Sequence, residues 1–357
     1  MEAAAYTLNP PLGIVIFTLG GIAGAVFYLP FKKVKGWAWE SYWLVYAVFG
    51  LILVPWILAF ATSPNLLFVL RTAPSNELVY CLFCGAAWGF GGLTWGLMIR
   101  YLGIGLGLAI GAGLTSAAGT LIPPMLKGSA AMQAMFTTTG GIVAVISAGV
   151  SLAGIVFVGM AGRSKEGELS EEQKRKAVAE FNFRKGILVA IFSGLMSSAM
   201  SFGLQGGPSM QEAALKTEPA TSVAWAGMPV LVVVLFGGFA VNFLWCIFLN
   251  IRNHSAKDCV RKKVPALPNL IFAAIAGAIW CSQFICFKAG EPRMGSTSYI
   301  GWAVLMASQI FFSQLLGIVL GEWKGTGRKT RLLLGTGLLL LIISAVVAGY
   351  AGSLQLN

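Results

Sequence analysis

Long apolar stretches set the rhythm of this chain. LGIVIFTLGGIAGAVFYLP lies near its start, and VLVVVLFGGFAVNFLWCIFL lies past its middle. A helix that crosses hydrocarbon needs about 20 mostly apolar residues. Ten segments meet that need: 11–31, 41–60, 78–99, 102–124, 140–160, 186–206, 223–250, 269–289, 297–320 and 332–351. Lipid offers no partner to an open backbone N–H or C=O, so continuous helices are the spanning form this pattern allows. The fold class it predicts is an all-α polytopic membrane protein with ten transmembrane helices.

Connections are short except at 161–185 and 251–268. In the first of these, Ser170 is followed by Glu171, Glu172 and Gln173, which resembles a capping box and predicts a short surface helix over 171–180. The chain then divides into 1–160, a linker at 161–185, and 186–357, with five spans in each half. Five is odd, so two like halves would have opposite orientation in the membrane, as two inverted five-helix repeats. Spaced matches agree. Trp88 and Trp280, Trp95 and Phe287, and Gly103 and Gly295 all lie 192 positions apart. Gly13 and Gly186, and Gly21 and Gly194, lie 173 apart.

Charge orients the helices. Hydrophobic residues make up 57% of the chain and charged residues 11%, against roughly 25% charged in soluble domains. Of the 25 Lys and Arg, 20 fall in the odd-numbered loops, among them Lys32, Lys33, Lys35, Lys257 and Lys324. By the positive-inside rule those loops are cytoplasmic and both termini lie outside. The same rule accounts for the net charge of +12 without nucleic acid, since no basic soluble domain exists to bind it. Trp37 and Trp39, beside the KKVK run, fit an interfacial anchor. MEAAAYTLNPP carries no positive n-region, so no cleaved signal peptide is expected.

Enzyme motifs are absent: there is no HExxH, no GxSxG and no His/Asp/Cys cluster at metal spacing, so neither cofactor nor metal is expected. Five of the six cysteines fall in apolar spans and read as small buried hydrophobes. Tryptophan is more informative. It favours membrane interfaces, yet Trp88 and Trp280 stand near the middles of their spans. Trp88, Gly91, Gly92 and Trp95 share one helical stripe, a slot with flat apolar walls. Trp280, Gln283 and Phe287 form a similar stripe with a polar centre. Sugars pack C–H faces on aromatic rings and need partners for their hydroxyls, so such a pocket suits one. Helix–helix packing is the other reading of the same stripes.

Polar residues at membrane depth add Thr94, Gln205 and Asn242, with Gln309 and Gln314, to the candidates. No carboxylate lies at mid-membrane. A coupling group must come from an edge: Glu40 or Glu322 on the cytoplasmic side, Glu77, Glu212 or Glu291 on the outer side.

FYLPFKKVKGWAWE (27–40), AWGFGGLTWGLMIRYLGIGLGLAIG (87–111), GTLIPPM (119–125), EFNFRKG (180–186), MSFGLQ (200–205) and Gly321-Glu322-Trp323 together resemble the L-rhamnose–proton symporter family of the drug/metabolite transporter superfamily. The resemblance implies inverted repeats and uptake of a 6-deoxyhexose with a cation, a proton first and sodium as the alternative. It also gives the basic hairpin and Glu40 a place in gating or coupling. The resulting expectation is a secondary transporter of a bacterial inner membrane. It imports L-rhamnose or a related sugar through Trp88, Gly92, Thr94, Trp95, Gln205, Asn242, Trp280 and Gln283. The alternatives are a carrier or exporter of another small polar metabolite, and a membrane sensor that binds sugar without moving it. A reporter active only in the cytoplasm, fused after Asn357, is expected to be silent; an active fusion would reverse the topology.

Overall fold

The structure, a computed structural model, describes residues 8–168, 183–260 and 264–354. The surface helix expected over 171–180 lies outside the described residues. Twelve helices are numbered here in chain order. They are α1 (Pro10–Val26), α2 (Trp39–Thr62), α3 (Leu66–Thr72), α4 (Ser75–Leu126), α5 (Ser129–Thr137) and α6 (Thr139–Gly167), then α7 (Phe183–Gln205), α8 (Pro208–Lys216), α9 (Met228–Arg252), α10 (Ala266–Gly290), α11 (Gly301–Val319) and α12 (Arg328–Ser353). No strand occurs among the described residues. Nine segments there are long and apolar enough to cross a membrane, and Ile110–Leu126 is a shorter apolar helix. The chain is a multi-pass membrane protein. Its exposed surface carries large apolar side chains, Leu188 at 69% and Leu244 at 68% among them, as a lipid-facing surface requires.

α4 is helical over 52 residues, a length of about 78 Å if straight. It is not straight. A Cβ added at Gly111 would stand 2.6 Å from Met98 Sδ and 3.2 Å from Trp95 Cη2. Thirteen residues of straight helix would separate Met98 and Gly111 by about 20 Å. The chain therefore doubles back into two arms, Ser75–Ile99 and Ile110–Leu126. The second arm begins well after the expected position 102.

Small residues decide which helices touch. In lipid, apolar burial between helices gains little, so close backbone packing must supply the attraction. α7 lies between the two arms of α4: Gly91 meets Ser197, and Gly194 meets Leu114 and Gly111. α1 lies in a similar way between α10 and α11, with Gly20 against Gln283 O and Gly21 against Ser308. Gly50 of α2 crosses Gly277 of α10 almost backbone to backbone; a Cβ on Gly277 would come within 2.6 Å of Tyr46 O. Gly85 of α4 makes the equivalent approach to Val234 of α9. Gly154 of α6 and Gly337 of α12 form a further crossing, beside which Ser147 donates to Ser344 O at 2.8 Å.

α2 is interrupted at its crossing. Val48–Leu53 winds as a π-turn, and Val54 N–H reaches back to Phe49 O. Pro55 follows; it has no N–H to offer, and the wider turn accommodates the broken ladder. The basic hairpin between α1 and α2 turns at Gly36, whose φ of +68° suits glycine.

Glycine substitutions separate contact from propensity. Gly277→Ala is expected to lower thermal stability in detergent, at a cost of about 1–3 kcal/mol from overpacking. Gly335→Ala, where a Cβ meets open space, should leave the melting temperature unchanged or raise it slightly.

Candidate functional site

α4 and α10 bring the two mid-span indoles to one phenyl ring. Phe284 packs edge-on to Trp88 at 5.9 Å and to Trp280 at 5.6 Å. Trp280 also packs on Phe27 of the first hairpin at 4.3 Å. From there the rings continue through Tyr46 and Trp43 to Trp39, which stacks on Trp43 at 5.0 Å. An aromatic column thus runs from the middle of α4 to the basic hairpin. Trp37, expected at the interface with Trp39, is instead buried.

Below Trp88 one face of α4 is uncovered at Gly92 and Gly96, both exposed. Phe83, Phe90 and Leu97 mark the outward face, each exposed and seven residues from the next. Gly92 lies on the opposite side of the helix, and Gly96 one turn further. Neither would place a Cβ within 4 Å of anything, whereas Gly85, Gly89 and Gly91 all meet neighbouring helices. The slot expected at Gly91 and Gly92 is therefore open at Gly92 and Gly96 only, because Ser197 of α7 covers Gly91.

Polar atoms converge beside the column. Gln283, 1% exposed, lies over Gly24 of α1. Gln309 of α11 reaches the same glycine, and its Nε2 donates to Gly24 O at 3.3 Å. Gln283 Oε1 and Trp280 Nε1 are buried without a hydrogen-bond partner. Each such atom costs about 1–3 kcal/mol, more in hydrocarbon than near water. One is an acceptor and the other a donor. A hydroxyl, which both donates and accepts, is complementary to either atom. No charged residue takes part.

The other candidates stand elsewhere. Trp95 lies against Gly111, a contact between the two arms of α4. Thr94 donates back to Phe90 O and Gly91 O of its own helix. Asn242 is satisfied: its Oδ1 accepts from Trp43 Nε1 at 2.9 Å and its Nδ2 donates to Gly238 O at 2.8 Å. Gln205 is buried at the end of α7, away from the column, where its Nε2 donates to Ser201 Oγ. Phe284, Phe27 and Gly24 were not legible as site residues; two rings and a glycine in apolar runs carry no sequence signal of their own.

The edge carboxylates divide clearly. Glu322 is exposed. Glu40 is 4% exposed, in the first turn of α2, and its Oε1 accepts from Ser255 Oγ at 2.6 Å and Asn253 Nδ2 at 3.0 Å. Lys32, Lys33 and Lys35 of the same hairpin are exposed. Ser255 and Ser41 both reach Asn250 Oδ1, and Ser41 donates to Asp258 at 3.0 Å, so the carboxylate sits in a buried polar cluster. The hairpin is pinned around it: Ala38 N–H donates to Asp258, and Asn269 bonds both the N–H and the C=O of Lys35.

A bundle of apolar helices around buried aromatic and uncharged polar groups is the architecture of a membrane carrier for a small polar molecule. The comparisons make this specific. Residues 8–353 match the family described as L-rhamnose-proton symport protein (RhaT), and the chain belongs to that family. Relatives named L-rhamnose-proton symporter from Cronobacter sakazakii and Klebsiella pneumoniae are each 31% identical over 344 residues, covering 95% of this chain and 96% and 97% of theirs. One from Escherichia coli is 31% identical over 347 residues, with 95% and 97% covered.

Glu40→Gln is expected to abolish sugar accumulation against a gradient while leaving sugar exchange largely intact, because exchange needs no net proton movement. Glu322→Gln should change neither; the reverse result in paired accumulation and exchange assays would transfer the coupling role to Glu322.

Proposed function

We propose that this chain imports L-rhamnose or a related 6-deoxy sugar across a bacterial inner membrane, driven by a proton, with the basic loops in the cytoplasm and both termini outside. Family membership supports the reaction class. The single observation that carries the site is the pair of buried, unpartnered atoms, Trp280 Nε1 and Gln283 Oε1, beside the Trp88–Phe284–Trp280 stack. The rings offer faces to the sugar's C–H groups, including its methyl, while donor and acceptor together orient a hydroxyl. Gly92 and Gly96 leave the room. Glu40, held among neutral donors, takes the coupling proton.

Packing supports ten spans in two inverted repeats, with Ile110–Leu126 as the fourth. α7 between the arms of α4 corresponds to α1 between α10 and α11. Gly85 against α9 corresponds to Gly277 against α2, and these glycines are again 192 positions apart. The gates correspond too. Asn269 pins the first hairpin through Lys35, and Glu77 pins the segment after α7 through Ser209 N–H (3.2 Å) and Oγ (2.6 Å). Asn269 and Glu77 are also 192 positions apart. Inverted gates at opposite ends are what alternating access requires.

Reconstituted in liposomes with an acidic exterior, the protein should accumulate labelled L-rhamnose, and a protonophore should abolish accumulation. Saturable binding without accumulation would make it a sensor; sodium dependence would replace the proton. Gln283→Leu, which removes the acceptor and keeps the bulk, should lower kcat/KM by about tenfold or more, as expected for loss of one buried hydrogen bond to substrate.

A further inference from the structure

The two matched pins differ in one chemical respect: Asn269 at the basic end is an amide, and Glu77 at the opposite end is a carboxylic acid. We propose that Glu77 is a proton-binding site, and that a proton taken from the outer aqueous phase releases the segment after α7 and opens the outer gate. The proposal rests on the transport reading only in calling that segment a gate.

Glu77 lies in the first turn of α4 and is half-buried, with exposed Asn76 and Pro208 on either side of the contact. One oxygen does all the holding. Oε1 accepts from both Ser209 N–H and Ser209 Oγ–H, in the first turn of α8, which has no side-chain cap of its own. A carboxylate at a helix N-terminus is stabilised by the free N–H groups there, so in its charged form Glu77 is the cap of α8. Oε2 is buried and has no hydrogen-bond partner. It is the oxygen on which a proton can settle without displacing any bond. Once it does, Oε1 belongs to a neutral carboxyl group. Hydrogen bonds to an ionised acceptor are roughly twice as strong as those to a neutral one, so both contacts to Ser209 weaken together. No other bond has to break, and the proton leaves by the same route when the outside becomes alkaline.

The charged groups around Glu77 leave this change visible. On α10, Lys288 is 2% exposed and is held by Leu204 O and Glu291. It lies within electrostatic reach of Cys81, one turn along α4, as Glu77 does. On α8, Glu212 and Lys216 pair with each other in solvent. Arg71 on α3 is exposed. The end of α7 contributes no charge. Tyr80, on α4 itself, packs on Gly206 at the root of the segment.

The segment covers something worth gating. Beneath α8 is a vestibule of about 280 Å³ lined by Gln211, Leu215, Lys127, Glu291 and Ser298, with Gln205 among its walls. Ser201 Oγ donates to Gly119 O and so can only accept from Gln205, which fixes the Gln205 amide with its Oε1 unpaired and buried. Lifting α8 would open the vestibule toward that acceptor. At the other end Asn269, the residue matched to Glu77, has no proton to gain or lose; the carboxylates there, Asp258 and Glu40, hold other contacts of the hairpin.

The test uses the full chain in liposomes without sugar, in a cysteine-free background with spin labels at Asn76 and Leu215. Lowering the pH step by step from about 8 to about 4, toward the range in which carboxylates take up protons, should shift the distance distribution toward a longer component. In Glu77→Gln, an isostere that accepts but does not ionise, the longer component should be present at every pH. A distance that ignores pH in the otherwise unsubstituted chain overturns the proposal without any variant, and so does a pH-dependent shift that survives Glu77→Gln. Neither result bears on whether the protein carries sugar, which the uptake assay decides separately.

Discussion

Close approach of helix backbones through glycine is the constraint on which the rest of this structure depends. Lipid tails are as apolar as leucine, so the bundle cannot be held by hiding hydrophobic surface, and contact must come from fit. Gly50 against Gly277 and Gly85 against Val234 bring α2, α10, α4 and α9 near enough for Trp88 and Trp280 to share Phe284. Gly24 does the same for polar chemistry, since only a residue without a side chain leaves space for Gln283 and Gln309 over one turn of α1. Packing and site are the same set of contacts.

Polar groups then concentrate where movement is needed. Asn242 and Trp43 satisfy each other within the span, a fixed contact. The pins at the two ends join a hairpin to the start of a helix from the other half of the chain, and the proposed alternation would part those bonds. Glu40 belongs to the same region, so the group proposed to take the proton sits beside the contacts that hold the hairpin at the basic end.

Much of this was legible in the sequence, because its signals are one-dimensional. Spans follow from apolar runs, and the uneven Lys and Arg are the ground for the orientation proposed above. The offset of 192 that links Trp88 to Trp280 also links Gly85 to Gly277 and Glu77 to Asn269. Only the tryptophans stand out from their background; the glycines are lost among 45, and a glutamate matched to an asparagine shows no similarity. The polar candidates were harder. Thr94 and Asn242 sit at membrane depth as Gln283 does, but they spend their hydrogen bonds on their own helix or on Trp43, which no spacing reveals. The reversal of α4 was hidden for the opposite reason: GIGLGLAIG reads as one smooth apolar run, and the contact of Met98 with Gly111 is what shows the turn.

Reciprocal motion of the two hairpins is the central claim, and paired spin-label distances measure it directly. One pair, at Lys33 and Lys257, spans the basic end; the other, at Asn76 and Glu212, spans the opposite end. With protein in liposomes at fixed pH, adding L-rhamnose should lengthen one distance and shorten the other in the same titration. If both distances lengthen together, or both stay unchanged while sugar is transported, the hairpins are not alternating gates.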